Sequence, residues 1–167
     1  MSELIAFQLG KRSDSQGRFI EDIWKLNNFW LEHDHKYVQW LFPIETQTKF
    51  NSHAPALTPF DRAAFSDSVC AMAAQRRSLD IMLNFFGLQW VGGEIAPVDG
   101  INLKDYIWLK RGGHNHYRIS RIIRSLALCG QLTLSKQFQS AVLDVSSQFG
   151  EVDESSRLFW LEANLNV

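Results

Sequence analysis

Two short segments of the chain each carry a His-x-His pair among polar and aromatic residues. The first, WLEHDHKYVQWLFP, spans residues 30–43, and the second, GGHNHYRISR, spans residues 112–121. Histidines and carboxylates are the residue types that bind zinc and similar metals. If His33 and His35 lie on one helix, however, they are about 200° apart around its axis and cannot share a metal. We therefore expect no metal and no other cofactor, although one histidine from each pair meeting across two helices stays an alternative.

Basic residues recur at near-helical spacing through the second segment, at Arg111, His114, Arg118 and Arg121. If a helix begins near Asn115, its first-turn amides and Arg118 can hold a phosphate or carboxylate, because helix N-termini attract anions. The alternative is that these arginines pair with acidic side chains elsewhere in the fold, with candidates at Glu32, Asp34, Asp61 and Asp80.

Motifs of known catalytic chemistry are missing from the sequence. There is no Gly-x-Ser-x-Gly nucleophile turn and no glycine-rich phosphate loop of the Walker or dinucleotide type. Enzymatic activity is therefore uncertain and is the less favoured interpretation. Its best form is acid–base chemistry by His35 or His114, since histidine titrates near neutral pH.

The elements that position these residues are predicted to be helical. Apolar residues follow helical spacing in two stripes between Phe19 and Leu41, and Thr58-Pro59-Phe60-Asp61 is a strong helix start. The full prediction is an all-α fold, a single globular domain over residues 1–167, with six to seven helices and long irregular connections. The later predicted helices cover 59–87 (broken near Asp67), 102–111, 116–129, 135–148 (capped by Ser135) and 153–163, with 87–100 read as a loop.

Composition narrows the class of protein. The net charge of -1 argues against a nucleic-acid partner, and no run of about 18 apolar residues predicts a membrane span. The N-terminus does not resemble a secretion signal, so we expect a soluble cytoplasmic protein. Cys70 and Cys129 are too few for a disulfide framework and are predicted to be free, buried thiols. The oligomeric state cannot be predicted.

Three segments together resemble the opioid growth factor receptor conserved region. EHDHKYVQWLFPIETQTKFNSHAPALT carries the family's Val-Gln-Trp-Leu-Phe-Pro signature, RRSLDIMLNFFGL resembles its Arg-rich helix, and GGHNHYRISRIIRSLALCG resembles its His-Asn-x-x-Arg-Ile helix. The likeness is clearest over residues 19–145. The matching positions are His35 (or His33), Tyr37, Gln39, Trp40, Pro43, Asn51, Ala54, Leu57, His114, Asn115, Arg118, Ile119 and Arg121. The long C-terminal repeats of the animal members are not seen, so the chain is most similar to the compact stand-alone members of microbes and fungi.

The resemblance implies a receptor-like role, because the animal members are described as membrane- and nucleus-associated receptors for an enkephalin-type peptide. We expect a non-enzymatic binding module that takes a peptide or a small anionic ligand. Its predicted ligand-binding residues are His35, Tyr37, Gln39, Trp40, His114, Asn115, Arg118 and Arg121. The alternatives are the histidine enzyme above and a purely structural interaction domain whose motif residues only form the core.

Overall fold

The fold of this chain, taken from a computed structural model, is built mainly from helices. The structure describes residues 1–47 and 52–167, and Asn51 of the matching positions lies outside them. The helices of the described residues are α1 (Glu3–Gln8), α2 (Ile20–Trp24), α3 (Asn28–His33), α4 (Tyr37–Leu41), α5 (Pro59–Ser66), α6 (Val69–Phe86), α7 (His116–Leu128), α8 (Leu132–Phe149) and α9 (Glu154–Glu162). The predicted helical class is therefore confirmed, although the number of helices exceeds the six to seven expected.

The two stripes between Phe19 and Leu41 form three short helices rather than longer ones. α3 ends because Asp34 has extended backbone angles and its carboxylate accepts the amide of Lys36 at 2.9 Å. His33 is consequently the last residue of α3, and His35 lies in the linker before α4. The assumption that both histidines share a helix was wrong. His33 packs on the exposed ring of Phe29 and does not continue the stripe of α4.

The start and end of the central helices follow the sequence signals closely. Thr58 caps α5 and forms a reciprocal capping box with Asp61, as the Thr-Pro-x-Asp pattern predicts. The break near Asp67 is present, since Asp67 ends α5 and the Ser68 side chain caps α6. Gly87 ends α6 with a φ of 75°, a left-handed conformation that glycine adopts without strain.

The segment read as a loop over residues 87–100 instead contains a β-hairpin. Strands β1 (Leu88–Val91) and β2 (Glu94–Pro97) pair antiparallel, with Leu88 opposite Pro97. Gly92 and Gly93 connect them with φ values of 58° and 83°, and a two-residue hairpin turn with both φ angles positive favours glycine. The strands are too short for an alternating pattern to stand out, but the Gly-Gly turn was a usable signal. Strand β2 of the hairpin packs against α8.

Two predicted helix starts are wrong. Asn102 does cap a turn, accepting the amide of Asp105 at 2.9 Å, but only a short 3₁₀ segment follows at Ile107–Leu109. Ser135 lies inside α8 rather than at its start, because its hydroxyl is buried and donates to the carbonyl of Ile123 on α7. A serine that bonds a neighbouring helix looks the same in sequence as one that caps its own.

The hydrophobic core lies largely around α7. The four apolar residues predicted on one face of this helix are all fully buried, and they are Ile119, Ile122, Ile123 and Leu126. α7 packs against α8 and α9, and the core continues through α6 to α1 and α4. The opposite face of α7 carries the arginines, so the burial of the isoleucines fixes the direction in which the arginines project.

The two cysteines differ in their surroundings. Cys129 is buried, and burial raises the pKa of its thiol to about 12. Cys70, at the exposed start of α6, is not buried, so that part of the prediction was wrong. Within residues 1–47 and 52–167, none of the helices combines the length and apolar character that crossing a membrane requires.

Candidate ligand-binding site

Arg118 on α7 joins the two His-x-His segments in space. Its side chain donates to the main-chain carbonyls of Leu31, Glu32 (3.1 Å) and Asp34 (3.0 Å), at the C-terminal end of α3. The carbonyls at a helix C-terminus carry partial negative charge, so a buried guanidinium there is stabilised without a carboxylate partner. The residue is only 8% exposed. Arg118 therefore organises the loop between α3 and α4.

Tyr37 and His35 complete the surroundings of Arg118. The Tyr37 hydroxyl donates to the Leu31 carbonyl at 2.6 Å and accepts from Arg118 at 3.2 Å, and its side chain is fully buried. Burial raises the pKa of Tyr37 well above its ordinary value, so the hydroxyl keeps its proton. The guanidinium lies 2.8 Å from His35 Nδ1. Because arginine only donates, this nitrogen must accept, and the His35 proton sits on Nε2.

The position of His35 makes its charge unfavourable in the folded protein. Its pKa is lowered, first by burial and then by the positive charge of Arg118 and by His114, while the carboxylates of Glu32 and Asp34 act in the opposite direction. The unfolded chain therefore binds a proton at His35 more readily than the folded chain does. The stability that His35 contributes is complete above its unfolded pKa of about 6.5 and is lost as the pH falls through and below that value.

We expect the variant His35→Gln to be less sensitive to acid than the natural chain. Glutamine does not titrate, and its amide oxygen can still accept from Arg118. Urea unfolding at pH 7.5 and pH 5.5 gives the free energy of unfolding that each protein loses in acid. The contributions of titratable groups that both proteins share cancel when the two losses are compared. The natural chain should lose more. An equal loss in the two proteins would show that protonation of His35 does not oppose folding.

The carboxylates near the first segment are already used within the fold. Asp34 forms an ion pair with Arg18. Burial alone raises the pKa of Asp34, but the Lys36 amide and Arg18 outweigh it and lower that pKa. Asn115 is buried and donates to the Glu32 carboxylate at 3.0 Å. Asn115 therefore ties the start of α7 to α3 rather than facing a cleft.

Gln39 and Trp40 hold the backbone of His53 between them. The Gln39 side-chain oxygen accepts the His53 amide at 2.9 Å, and the Trp40 indole donates to the His53 carbonyl at 2.9 Å. The Trp40 ring packs 5.2 Å from Phe7 and is 4% exposed. Trp40 is thus a core residue, whereas Gln39 also borders a cavity.

An open cavity of about 870 Å³ lies between α4, α7 and α9. Four of the eight residues predicted to bind a ligand line it, and they are His35, Gln39, Arg118 and Arg121. The remaining four do not: Tyr37, Trp40 and Asn115 are buried, and His114 lies exposed before α7. The other lining residues are Val38, Ile44, Tyr117, Ser120, Arg124, Phe159, Glu162 and Ala163.

Among the three arginines that line the cavity, Arg121 makes the fewest hydrogen bonds to the described residues. Its Nε donates to the Phe42 carbonyl at 2.8 Å, and its two terminal nitrogens have no hydrogen-bond partner among the described residues. Burial lowers its pKa to about 10, with Glu45 acting in the opposite direction, so it stays positively charged at neutral pH. A partly buried guanidinium with free donors is suited to bind a carboxylate or phosphate in bidentate fashion.

Arg124 closes one edge of the cavity. It forms an ion pair with Glu45, which follows α4, and donates to the carbonyls of Ala163 and Leu165 at 3.1 Å each. Arg124 therefore ties the end of α9 to the segment after α4. None of the acids proposed as arginine partners from the sequence pairs with Arg124, and Glu45 was not among them.

The aromatic walls of the cavity were not predicted. They are Tyr117 and Phe159, whose rings lie 6.4 Å apart and are 80% and 59% exposed. Both rings are accessible to a molecule in the cavity, whereas Tyr37 and Trp40, chosen from the motif, are already covered by the fold. The apolar run at Leu158–Leu161 could have indicated these exposed residues, because a short helix that packs on one face cannot bury four consecutive apolar side chains.

The histidines do not assemble a metal centre in the described part of the chain. No group of three or more histidine, cysteine and acidic side chains there is arranged to hold a metal ion. His35 borders the cavity with its Nδ1 occupied, and His114 is outside it. The geometry accordingly directs attention to Arg121.

Comparison with known proteins gives a consistent result. The family described as the opioid growth factor receptor (OGFr) conserved region matches residues 7–162. Rat opioid growth factor receptor-like protein 1 is 32% identical over 118 residues, which cover 68% of this chain and 25% of that protein. The mouse and human opioid growth factor receptors are 35% and 34% identical over 120 residues, covering 68% of this chain and 19% and 17% of theirs. The chain thus spans about a quarter or less of the length of these relatives. No solved structure matches it.

Proposed function

The chain belongs to the family of the opioid growth factor receptor conserved region, and from this premise we propose that it is a non-enzymatic binding module for a peptide or small anionic ligand. The ligand occupies the cavity between α4, α7 and α9. The observation that carries this proposal is Arg121, whose charged terminal nitrogens lack a partner among the described residues at the wall of an 870 Å³ cavity. The receptor names of the relatives agree with a binding role.

The chemistry of the cavity defines what the ligand must carry. Arg121 provides two donors for one carboxylate or phosphate. Val38, Ile44 and the aromatic pair Tyr117–Phe159 provide apolar walls for the rest of the ligand. Arg118 borders the cavity but already donates to the end of α3, so the anion is assigned to Arg121 and not to Arg118.

We expect N-acetylphenylalanine to bind more tightly than its uncharged C-terminal amide, and this difference to depend on Arg121. A charge-assisted hydrogen bond contributes about 1.5–3 kcal/mol, so the acid should bind about 10- to 100-fold more tightly. Isothermal titration calorimetry of both compounds with the natural chain and with Arg121→Gln measures this directly. The variant should bind the acid and the amide equally.

A matched control separates a local contact from the overall charge of the protein. Arg111→Gln removes the same charge from an exposed position outside the cavity. This variant should keep the preference for the acid. If Arg111→Gln weakens binding as much as Arg121→Gln does, or if neither compound binds the natural chain, the proposed function is wrong.

A further inference from the structure

A second, smaller cavity adjoins the proposed ligand site. It measures about 250 Å³ and is lined on its far side by Asp153, Ser155 and Ser156 at the start of α9. Tyr117, Ser120 and Phe159 line both cavities. These three residues therefore form the boundary between two parts of one groove along α7 and α9.

The upper part of this boundary consists of surface side chains. Tyr117 is 80% exposed and Phe159 is 59% exposed. Exposed side chains change rotamer on the picosecond to nanosecond timescale without moving the backbone. The two rings can therefore change position without any movement of the helices that carry them.

The lower part of the boundary contains a polar atom without a partner. The Ser120 hydroxyl oxygen is buried and makes no hydrogen bond to any described residue. The carbonyl of His116, one turn earlier, which a helical serine commonly uses, accepts the Trp160 indole instead. An unpaired buried hydroxyl is unfavourable. Ser120 lines both cavities, so rotation of its side chain would bring the hydroxyl to a polar group of a ligand in the groove.

The two ends of the groove carry opposite charge. Arg121 lies at the wall of the large cavity. The acidic residue Glu162 also lines this cavity. Asp153 lies at the small cavity and accepts the Ser156 amide at 3.2 Å. Hydrogen bonds from Ser156 lower the pKa of Asp153, so it is a carboxylate at neutral pH. His116 also lines the small cavity, where its two ring nitrogens bond the Ser156 hydroxyl and the Trp108 carbonyl, and no lysine or arginine is among the described residues of this lining.

We propose that one elongated zwitterionic ligand spans both cavities, with its anionic group at Arg121 and an ammonium group at Asp153. Its apolar middle lies beneath Tyr117 and Phe159, and a polar group in that middle bonds Ser120. This inference rests on the proposed function for the anionic end and adds the cationic end. An apolar peptide with free termini and an aliphatic ω-amino acid share this chemistry.

Two matched probe pairs test the cationic end. The first is the tetrapeptide Ala-Leu-Leu-Ala and its N-acetylated form, and the second is 8-aminooctanoate and octanoate. In the natural chain the ammonium group should improve affinity about three- to fivefold, the size expected for a partly exposed ion pair. The pair that shows the improvement identifies the type of ligand. Asp153→Asn should abolish the improvement while keeping α9 capped, since asparagine is an equally good N-cap.

Ser120→Ala provides an independent test of the groove floor. If the hydroxyl is kept for a ligand, alanine should leave the thermal midpoint unchanged or raise it, and should weaken the tetrapeptide about threefold. Equal affinity within both probe pairs overturns the spanning ligand while the proposed function stands, and so does an improvement that persists in Asp153→Asn. If none of the four probes binds, the spanning ligand is overturned, and the proposed function is judged by N-acetylphenylalanine alone.

Discussion

Replacing Arg118 with alanine should lower the free energy of unfolding by about 3–5 kcal/mol, because it removes a buried cation from the main-chain carbonyls that it bonds. The carbonyls of Glu32 and Asp34 lose the donors that the structure assigns to them. Each buried polar group left without a partner costs about 1–3 kcal/mol. The linker that carries His35 between α3 and α4 should lose its defined position as well.

Arg121→Ala is the matched control, because it removes the same residue type from the next turn of α7. Among the described residues Arg121 makes a single hydrogen bond, to the Phe42 carbonyl, so its loss should cost about 1 kcal/mol. Urea denaturation measures the free energy of unfolding of both variants, and its dependence on urea concentration should have the same slope as in the natural chain. Comparable losses in the two variants would contradict the assignment of Arg118 to the fold and Arg121 to the cavity.

Replacing Trp40 with alanine should cost about 3–5 kcal/mol, the range found when large aromatic side chains are removed from a core. Trp40 is 4% exposed, packs on Phe7, and holds the His53 carbonyl through its indole nitrogen. Its removal leaves a cavity and an unpaired carbonyl. This variant tests whether the tryptophan of the family signature is structural.

Trp30 provides the comparison, since it belongs to the same sequence segment but is 53% exposed. Trp30→Ala should cost less than about 1 kcal/mol, as surface substitutions usually do. Chemical denaturation of the two variants under one set of conditions gives the difference. If Trp30→Ala is as destabilising as Trp40→Ala, the difference in burial between the two tryptophans is wrong.

The family signature is thus explained mainly by folding. Leu41 and Phe42 are fully buried, the Phe42 carbonyl accepts from Arg121, and the Pro43 carbonyl accepts the Ser125 hydroxyl at 2.6 Å. The signature therefore docks α4 and the residues after it onto α7. This contact places Val38 and Gln39 opposite the arginines and so forms one side of the cavity.

Sequence reasoning succeeded where a local signal is strong. The capping box at Thr58 and Asp61 and the left-handed Gly87 depend on residues within one turn of each other, so their spacing alone defines them. The buried face of α7 follows from helical periodicity in the same way. The break between α3 and α4 at Asp34 was not predicted, because it depends in part on the ion pair of Asp34 with Arg18, sixteen residues earlier.

The candidate site was only partly predictable, because polar groups compete for partners that are distant in sequence. Arg118 and Arg121 are both basic residues on one face of α7 and look equivalent in sequence. Only the position of α3 distinguishes them, since its terminal carbonyls take up the donors of Arg118. Phe159 was missed for a related reason: its exposure depends on how α9 packs against α7.

The most direct test of the central claim observes the guanidinium groups themselves. Side-chain ¹⁵N NMR spectra of Arg118 and Arg121 should be recorded while N-acetylphenylalanine is added, with assignments from Arg121→Gln. The account predicts that the Arg121 side-chain signals shift and saturate, whereas those of Arg118 keep their positions. Saturating shifts of Arg118 with an unaffected Arg121, or no shift of either at saturating ligand, would contradict it.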